Sequence, residues 1–166
     1  NISGQCHCGA ISFTAVVDPN KVVACHCADC QQFSGAPFRA VLPTPIDNVA
    51  LTGQPKTYVK FAASGNRRVQ AFCEVCGTQI YSTEPDSPAV LSLRLGCVNE
   101  RALLPPVIQI WGQSAMPWLK SLQKFPAMLR LDQPTGKLSN ALNPLIDLQT
   151  MHGSHIGHHK NEKTRQ

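Results

Sequence analysis

Cys6-His7-Cys8-Gly9-Ala10-Ile11-Ser12-Phe13-Thr14-Ala15-Val16, followed by Asp18-Pro19-Asn20, decides most of what this chain can fold into. Ile11, Phe13 and Ala15 alternate with polar Ser12 and Thr14, the period of a half-buried strand, and Asp-Pro-Asn ends the run as a turn. A C-x-C pair closed by glycine stands in front of it. Outward from there the same punctuation continues. Val22-Val23-Ala24 leads into a second cysteine group, and Phe38 to Leu42 reads as a strand closed by Pro43 and Pro45. Further strands are predicted over 49–52, 57–61, 69–72, 79–82 and 90–95, with Gly53, Pro55, Gly65, Pro85 and Pro88 in the gaps. Helical periodicity is almost absent, so an all-β domain is predicted. The exception is Ser114 to Leu122. There a Ser cap followed by Pro predicts a short C-terminal helix that packs Met116, Leu119 and Leu122 onto the sheet.

Eight cysteines, at 6, 8, 25, 27, 30, 73, 76 and 97, carry the chemistry. Seven of them are bunched into C-x-C and C-x-x-C pairs, with Cys97 apart, a spacing that wastes cross-links but suits convergence on a cation. Zinc, two per chain, is the expected metal, with a disulfide framework as the alternative. A C-x-C pair on a strand puts both sulfurs on one face. A C-x-x-C pair followed by glycine makes a knuckle, and Gly9 and Gly77 fit its need for an unusual backbone angle. Cys6, Cys8, Cys73 and Cys76 are therefore expected to close a structural zinc site. Cys25, Cys27 and Cys30 remain as three ligands with an open position, the pattern of a catalytic zinc. Alternatively Cys97, His26 or Asp29 closes that second site. Three thiolates make the metal a poor Lewis acid for water but a reasonable host for an exchanging thiol.

The rest of the composition narrows the class. At 166 residues, 43% hydrophobic and 15% charged, the chain suits one domain with a real core and falls outside most disordered classes. No stretch approaches the roughly 18 apolar residues of a membrane span. The N-terminus has neither a basic n-region nor an apolar h-region, so a cytoplasmic protein is expected. The net charge of +5 shrinks to +3 over residues 1–126. Seven thiolates and the two zinc ions they bind would bring that stretch to about neutrality. Arg67-Arg68 is its only basic pair and reads as a solvated turn before a strand, so nucleic acid is not an expected partner. His7 and His26, the middle residues of C-x-C pairs, are expected to pack or face solvent. Asp29 is expected to cap the Cys27–Cys30 turn. Phe33, Phe38, Phe72, Trp111 and Trp118 are expected to pack, Cys97 to be a buried small hydrophobe, and His152, His155, His158 and His159 to lie in a solvated tail.

Taken together, Cys6-His7-Cys8-Gly9-Ala10-Ile11, Cys25-His26-Cys27 with Cys30, Ser34-Gly35-Ala36-Pro37-Phe38, Phe72-Cys73 with Cys76-Gly77-Thr78, and the closing Pro117-Trp118 resemble the glutathione-dependent formaldehyde-activating enzyme family. Centromere protein V carries the same domain. The resemblance covers residues 3–126 and leaves 127–166 as a weakly ordered extension. It implies a β-tent fold of short antiparallel sheets, a four-cysteine structural zinc and a three-cysteine catalytic zinc. It also implies a carbon–sulfur lyase run in the synthetic direction, joining glutathione to formaldehyde or another small carbonyl as S-hydroxymethylglutathione. Ser34 would line the pocket and orient the adduct. The chain departs from the family pattern at Gln109, where a His is expected, at Cys97, where a small hydroxyl residue is usual, and in its tail. A zinc-scaffolded binding module without turnover is the second reading.

Overall fold

The computed structural model describes residues 1–61 and 65–125. Its strands are β1 (Ile2–Gln5), β2 (Ser12–Ala15), β3 (Val23–Cys25), β4 (Arg39–Pro45), β5 (Val49–Thr52), β6 (Lys56–Phe61), β7 (Arg67–Phe72), β8 (Gln79–Thr83), β9 (Val90–Arg94) and β10 (Ile108–Ile110). One α-helix, α1 (Ala28–Ser34), follows β3, and the other helical pieces are 3-10 turns. A three-stranded antiparallel sheet runs in the order β1-β2-β5, and a seven-stranded sheet in the order β10-β3-β4-β9-β8-β7-β6. The all-β expectation holds. The sheets are antiparallel apart from one pair: β10 lies parallel to β3, with Ile110 opposite Cys25.

Register explains what each face of the large sheet does. Residues opposite one another on paired strands share a face, as do residues two apart on one strand. Leu42 lies opposite Leu93, and Thr44 opposite Leu91; all four are buried. With Ile2, Phe13 and Ala15 of the small sheet they form one hydrophobic core. Cys25 lies opposite Arg39, and Val41 opposite Arg94. The same face continues through Ser92 and Ser82 to Gln70 and Tyr58. Beneath α1 the sheet therefore presents a thiol, two guanidiniums and an amide. Helix and sheet are tied there by the Asp29–Lys60 ion pair and by Phe33, whose ring centroid is 6.1 Å from that of Tyr58.

Gly4 of β1 forms an antiparallel bridge to Val98, beyond the end of β9. A Cβ there would press into the Phe13 ring and stand 2.6 Å from the Cys97 carbonyl oxygen. Backbone cannot rotate aside as a side chain can. Gly4→Ala is therefore expected to cost about 1–3 kcal/mol, readable as a lowered midpoint in thermal denaturation. Close by, the Glu100 carboxylate accepts the Ser3 amide at 3.0 Å and the Ser3 hydroxyl at 3.2 Å. These bonds, the amide first, hold its pKa below the usual carboxylate value.

Several expectations are corrected. The strand through Phe38 does not stop at Pro43 but runs to Pro45. β3 pairs with β4 only at Arg39–Val41, so beyond Val41 that side of β4 is an edge where a missing N–H leaves no ladder bond unmade. Arg67 and Arg68 do not form a turn. They begin β7 and pair with Asp86 and Glu84. The Pro117–Lys124 helix is present as a 3-10 helix, but Met116 and Leu122 are exposed rather than packed on the sheet. Trp111 and Trp118 are likewise exposed. Trp111 has a left-handed φ of 58°, which turns the chain away from the sheet immediately after β10. Phe33, Phe38 and Phe72 are half-buried, the first two because they border a cleft rather than the core. The expectations for 127–166, including the four tail histidines, lie outside the described residues.

Candidate metal centres and active site

Two loops of matching design bring the first four cysteines together. After β1 the Cys6 amide donates to the Ile11 carbonyl at 2.9 Å, and the Gly9 amide returns to the Cys6 carbonyl at 3.0 Å. Between β7 and β8 the Cys73 amide donates to Thr78 at 2.9 Å, and the Gly77 amide returns to Cys73 at 2.8 Å. Gly9 and Gly77 both have positive φ, 79° and 72°, as the knuckle geometry requires. The Cys6–Cys8 pair thus sits on a turn rather than on a strand, and the turn, not strand alternation, brings its sulfurs together. The four sulfurs of Cys6, Cys8, Cys73 and Cys76 lie within 4.8 Å of one another.

The second group is assembled by a strand end and a helix start. Cys25 closes β3, and Cys27 is the N-cap of α1, its sulfur accepting the Cys30 amide at 3.4 Å. Cys30 is the buried third residue of the helix. Asp29 is not the cap; Cys27 is, and Asp29 reaches Lys60 of β6 instead. Gly35, with φ 60°, ends the helix in the left-handed conformation common at that position. The three sulfurs again lie within 4.8 Å of one another.

All eight cysteines are free thiols, so the disulfide framework is not met. The resolved sulfur separations are 3.6 Å for Cys6–Cys8, 3.7 Å for Cys8–Cys73 and 3.5 Å for Cys25–Cys27. Two sulfurs each about 2.3 Å from one tetrahedral zinc stand about 3.8 Å apart. Both groups therefore have the size a thiolate-bound cation requires. Their ionisation agrees. Hydrogen bonds from Thr78, hydroxyl first, pull Cys76 down to about 5. Cys8 is pushed up to about 12: the Ala10 amide lowers it, and the Cys6 and Cys76 sulfurs outweigh that pull. In the second group burial, opposed by Arg39 and reinforced by the Cys25 and Cys27 sulfurs, pushes Cys30 up to about 12. Cys27 is lowered, because bonds from Cys30 and Cys25 and the Lys60 charge overcome its burial. Thiols packed this closely cannot all ionise by themselves. A bound cation would let them.

No fourth ligand joins Cys25, Cys27 and Cys30 among the described residues. Each group weighed for that role is engaged elsewhere. The Cys97 thiol is buried and donates to the Gln79 carbonyl at 3.0 Å. His26 is buried, packs on Phe38 with ring centroids 5.6 Å apart, and bonds through Nε2 to Gln109 Oε1 at 2.9 Å. The departure at Gln109 therefore has a partner inside the fold. His7 is exposed.

A cleft of about 540 Å³ is lined by Ser34, Phe38, Arg39 and Arg94 on one side and by His7, Gly77 and Thr78 of the four-cysteine knuckles on another; Cys25, Cys27 and Cys30 lie behind Arg39 and α1 rather than in its wall. The Ser34 hydroxyl lies against backbone carbonyls, the nearest being Cys30 at 2.7 Å. It can donate to one of them and still offer lone pairs to the cleft. Sequence reasoning missed Arg39, Arg94 and Gln70. The signal was a charge ending the alternating run Val90-Leu91-Ser92-Leu93-Arg94, on the face opposite the leucines.

Fold and sulfur groups together define an all-β protein with two cysteine clusters suited to metal ions. The chain belongs to the glutathione-dependent formaldehyde-activating enzyme family, whose model matches residues 1–114. An uncharacterized lyase of Schizosaccharomyces pombe is 32% identical to it over 78 residues, 47% of this chain and 54% of that protein. The chain thus spans about half the length of the curated relative it matches. A crystal structure of a Rhodobacter sphaeroides protein shares the fold with a TM-score of 0.50 at 17% identity, covering 64% of this chain and 98% of that one. No helix among the described residues is long and apolar enough to cross a membrane.

Proposed function

We propose that the protein is a zinc-dependent carbon–sulfur lyase of the S-(hydroxymethyl)glutathione synthase type, joining a glutathione-type thiol to formaldehyde or another small carbonyl. The observation that carries this is the three-sulfur group of Cys25, Cys27 and Cys30 with no fourth ligand among the described residues. Cys6, Cys8, Cys73 and Cys76 would hold a second, structural zinc. Zinc held by Cys25, Cys27 and Cys30 would supply a position that lowers the pKa of a substrate thiol and keeps it nucleophilic. The chain's own groups do the remaining work. Cys27, as the α1 N-cap, is fixed by the Cys30 amide its sulfur accepts. Ser34 borders the space where the carbonyl would lie. The sulfur–carbon bond forms as the C=O π pair moves to oxygen, and the proton given up by the thiol ends on that oxygen. No oxidant or reductant is needed. Free thiols in this number suit the reducing cytoplasm.

Elemental analysis of untagged protein is expected to find two zinc per chain. Exchange NMR is expected to show adduct formation faster than the spontaneous reaction of glutathione with formaldehyde. Two zinc with no acceleration by any small carbonyl would overturn the enzymatic reading. It would favour the binding-module alternative, with which the exposure of Ile108, Ile110, Trp111 and Trp118 also agrees.

A further inference from the structure

Arg94 is buried, 5% exposed, yet no carboxylate pairs with it or with Arg39 among the described residues. Both guanidiniums donate to one atom, the Oε1 of buried Gln70, Arg94 from 2.8 Å and Arg39 from 3.1 Å. Their Nε atoms are buried without a partner. Two cations converging on one neutral oxygen repel each other. Burial, and then Arg39, pull the Arg94 pKa down to about 9, so the arrangement costs stability as it stands. Phe33 steadies it from above, its ring centroid 5.8 Å from the Arg39 guanidinium carbon. Both arginines line the 540 Å³ cleft, and Arg39 stands opposite Cys25 of the open group across the β3–β4 pair.

The unmade bonds say what is missing: both Nε donors are buried without a partner, and no carboxylate among the described residues reaches either guanidinium. Guanidinium forks match carboxylate oxygens in geometry as well as charge. We infer that Arg39 and Arg94, braced by Gln70, form a carboxylate-binding subsite, so that the thiol this protein takes is an acidic one anchored beside its three-cysteine group. The inference rests on the thiol-binding reading above for the identity of the ligand, but the subsite itself can be tested apart from it.

The test is isothermal titration of the zinc-loaded full chain with 3-mercaptopropionate, its neutral methyl ester, and sulfur-free propionate, alongside zinc analysis of every variant. The acid is expected to bind roughly 10- to 100-fold tighter than the ester, the range of a charge-assisted contact. Arg94→Gln or Arg39→Gln should bring that ratio to about one with zinc content unchanged, while Arg94→Lys keeps part of the preference. Equal binding of acid and ester by the wild type would overturn the subsite and leave the thiol reading standing. Equal losses for both ligands in the variants, or loss of zinc, would also overturn it, making the arginines counter-charges of the cluster. Arginine-dependent binding of propionate with no binding of the ester would keep the subsite and remove the thiol reading. If Arg94→Gln does not fold, the half-buried Arg39 decides the matter.

Discussion

Cys73→Ser is expected to leave a chain that holds one zinc instead of two and melts at least about 10 °C lower. Cys73 is 1% exposed and belongs to the hydrophobic core as well as to the four-sulfur group. Its backbone bonds to Thr78 and Gly77 form one of the two knuckles. A serine hydroxyl is a poor zinc ligand and leaves a buried polar group in an apolar setting. Structural zinc binding in small domains is worth about 10–16 kcal/mol of apparent folding free energy, comparable to the whole stability of a domain. Even a fraction of that, about 4 kcal/mol, shifts a midpoint by roughly 10 °C or more at this size. Circular dichroism melting with zinc analysis on the same samples reads both effects. A variant that kept the wild-type midpoint after losing a zinc would show that this cluster fastens nothing.

Cys27→Ser should do the opposite: end activity and spare the fold. Cys27 is the N-cap of α1, and serine is among the best residues for that place. The helix therefore keeps its cap while the open group drops to two sulfurs. Thermal midpoints are expected within about 5 °C of wild type. Zinc should fall from two to one per chain, and adduct formation to the spontaneous rate. Retained acceleration with one zinc would sink the proposed role of this group. The pair of variants separates the clusters: one is read in the melting curve, the other in the rate.

How much of this was visible in the sequence depends on how long each local pattern runs. Ile11, Phe13 and Ala15 advertise their strand because three alternate positions are buried on one side. The Val49–Thr52 strand is bounded by its own turn residues and lies where expected. Helix α1 shows no periodicity, because seven residues make under two turns. Its cap is a thiol, which no capping pattern contains. Gly35 and the acidic first turn at Asp29 were the available signals. β10 is three exposed residues held by parallel pairing with β3, a tertiary contact that composition does not encode. The two cysteine groups were legible because close cysteine spacing is rare without a use. The arginine pair was not, since it depends on which strands become neighbours across the large sheet.

The two clusters differ in how far along the chain their members lie, and that sets an order of events. Cys25, Cys27 and Cys30 fall within six consecutive residues, so during synthesis this group can capture an ion once residue 30 has left the ribosome. The other group must wait for Cys73, which meets Cys8 across 65 positions. It cannot form until Cys73 and Cys76 have emerged as well, and it then has a longer loop to close. The three-sulfur group is thus the first of the two able to meet a cation as the chain emerges, and the four-sulfur group is the later to assemble.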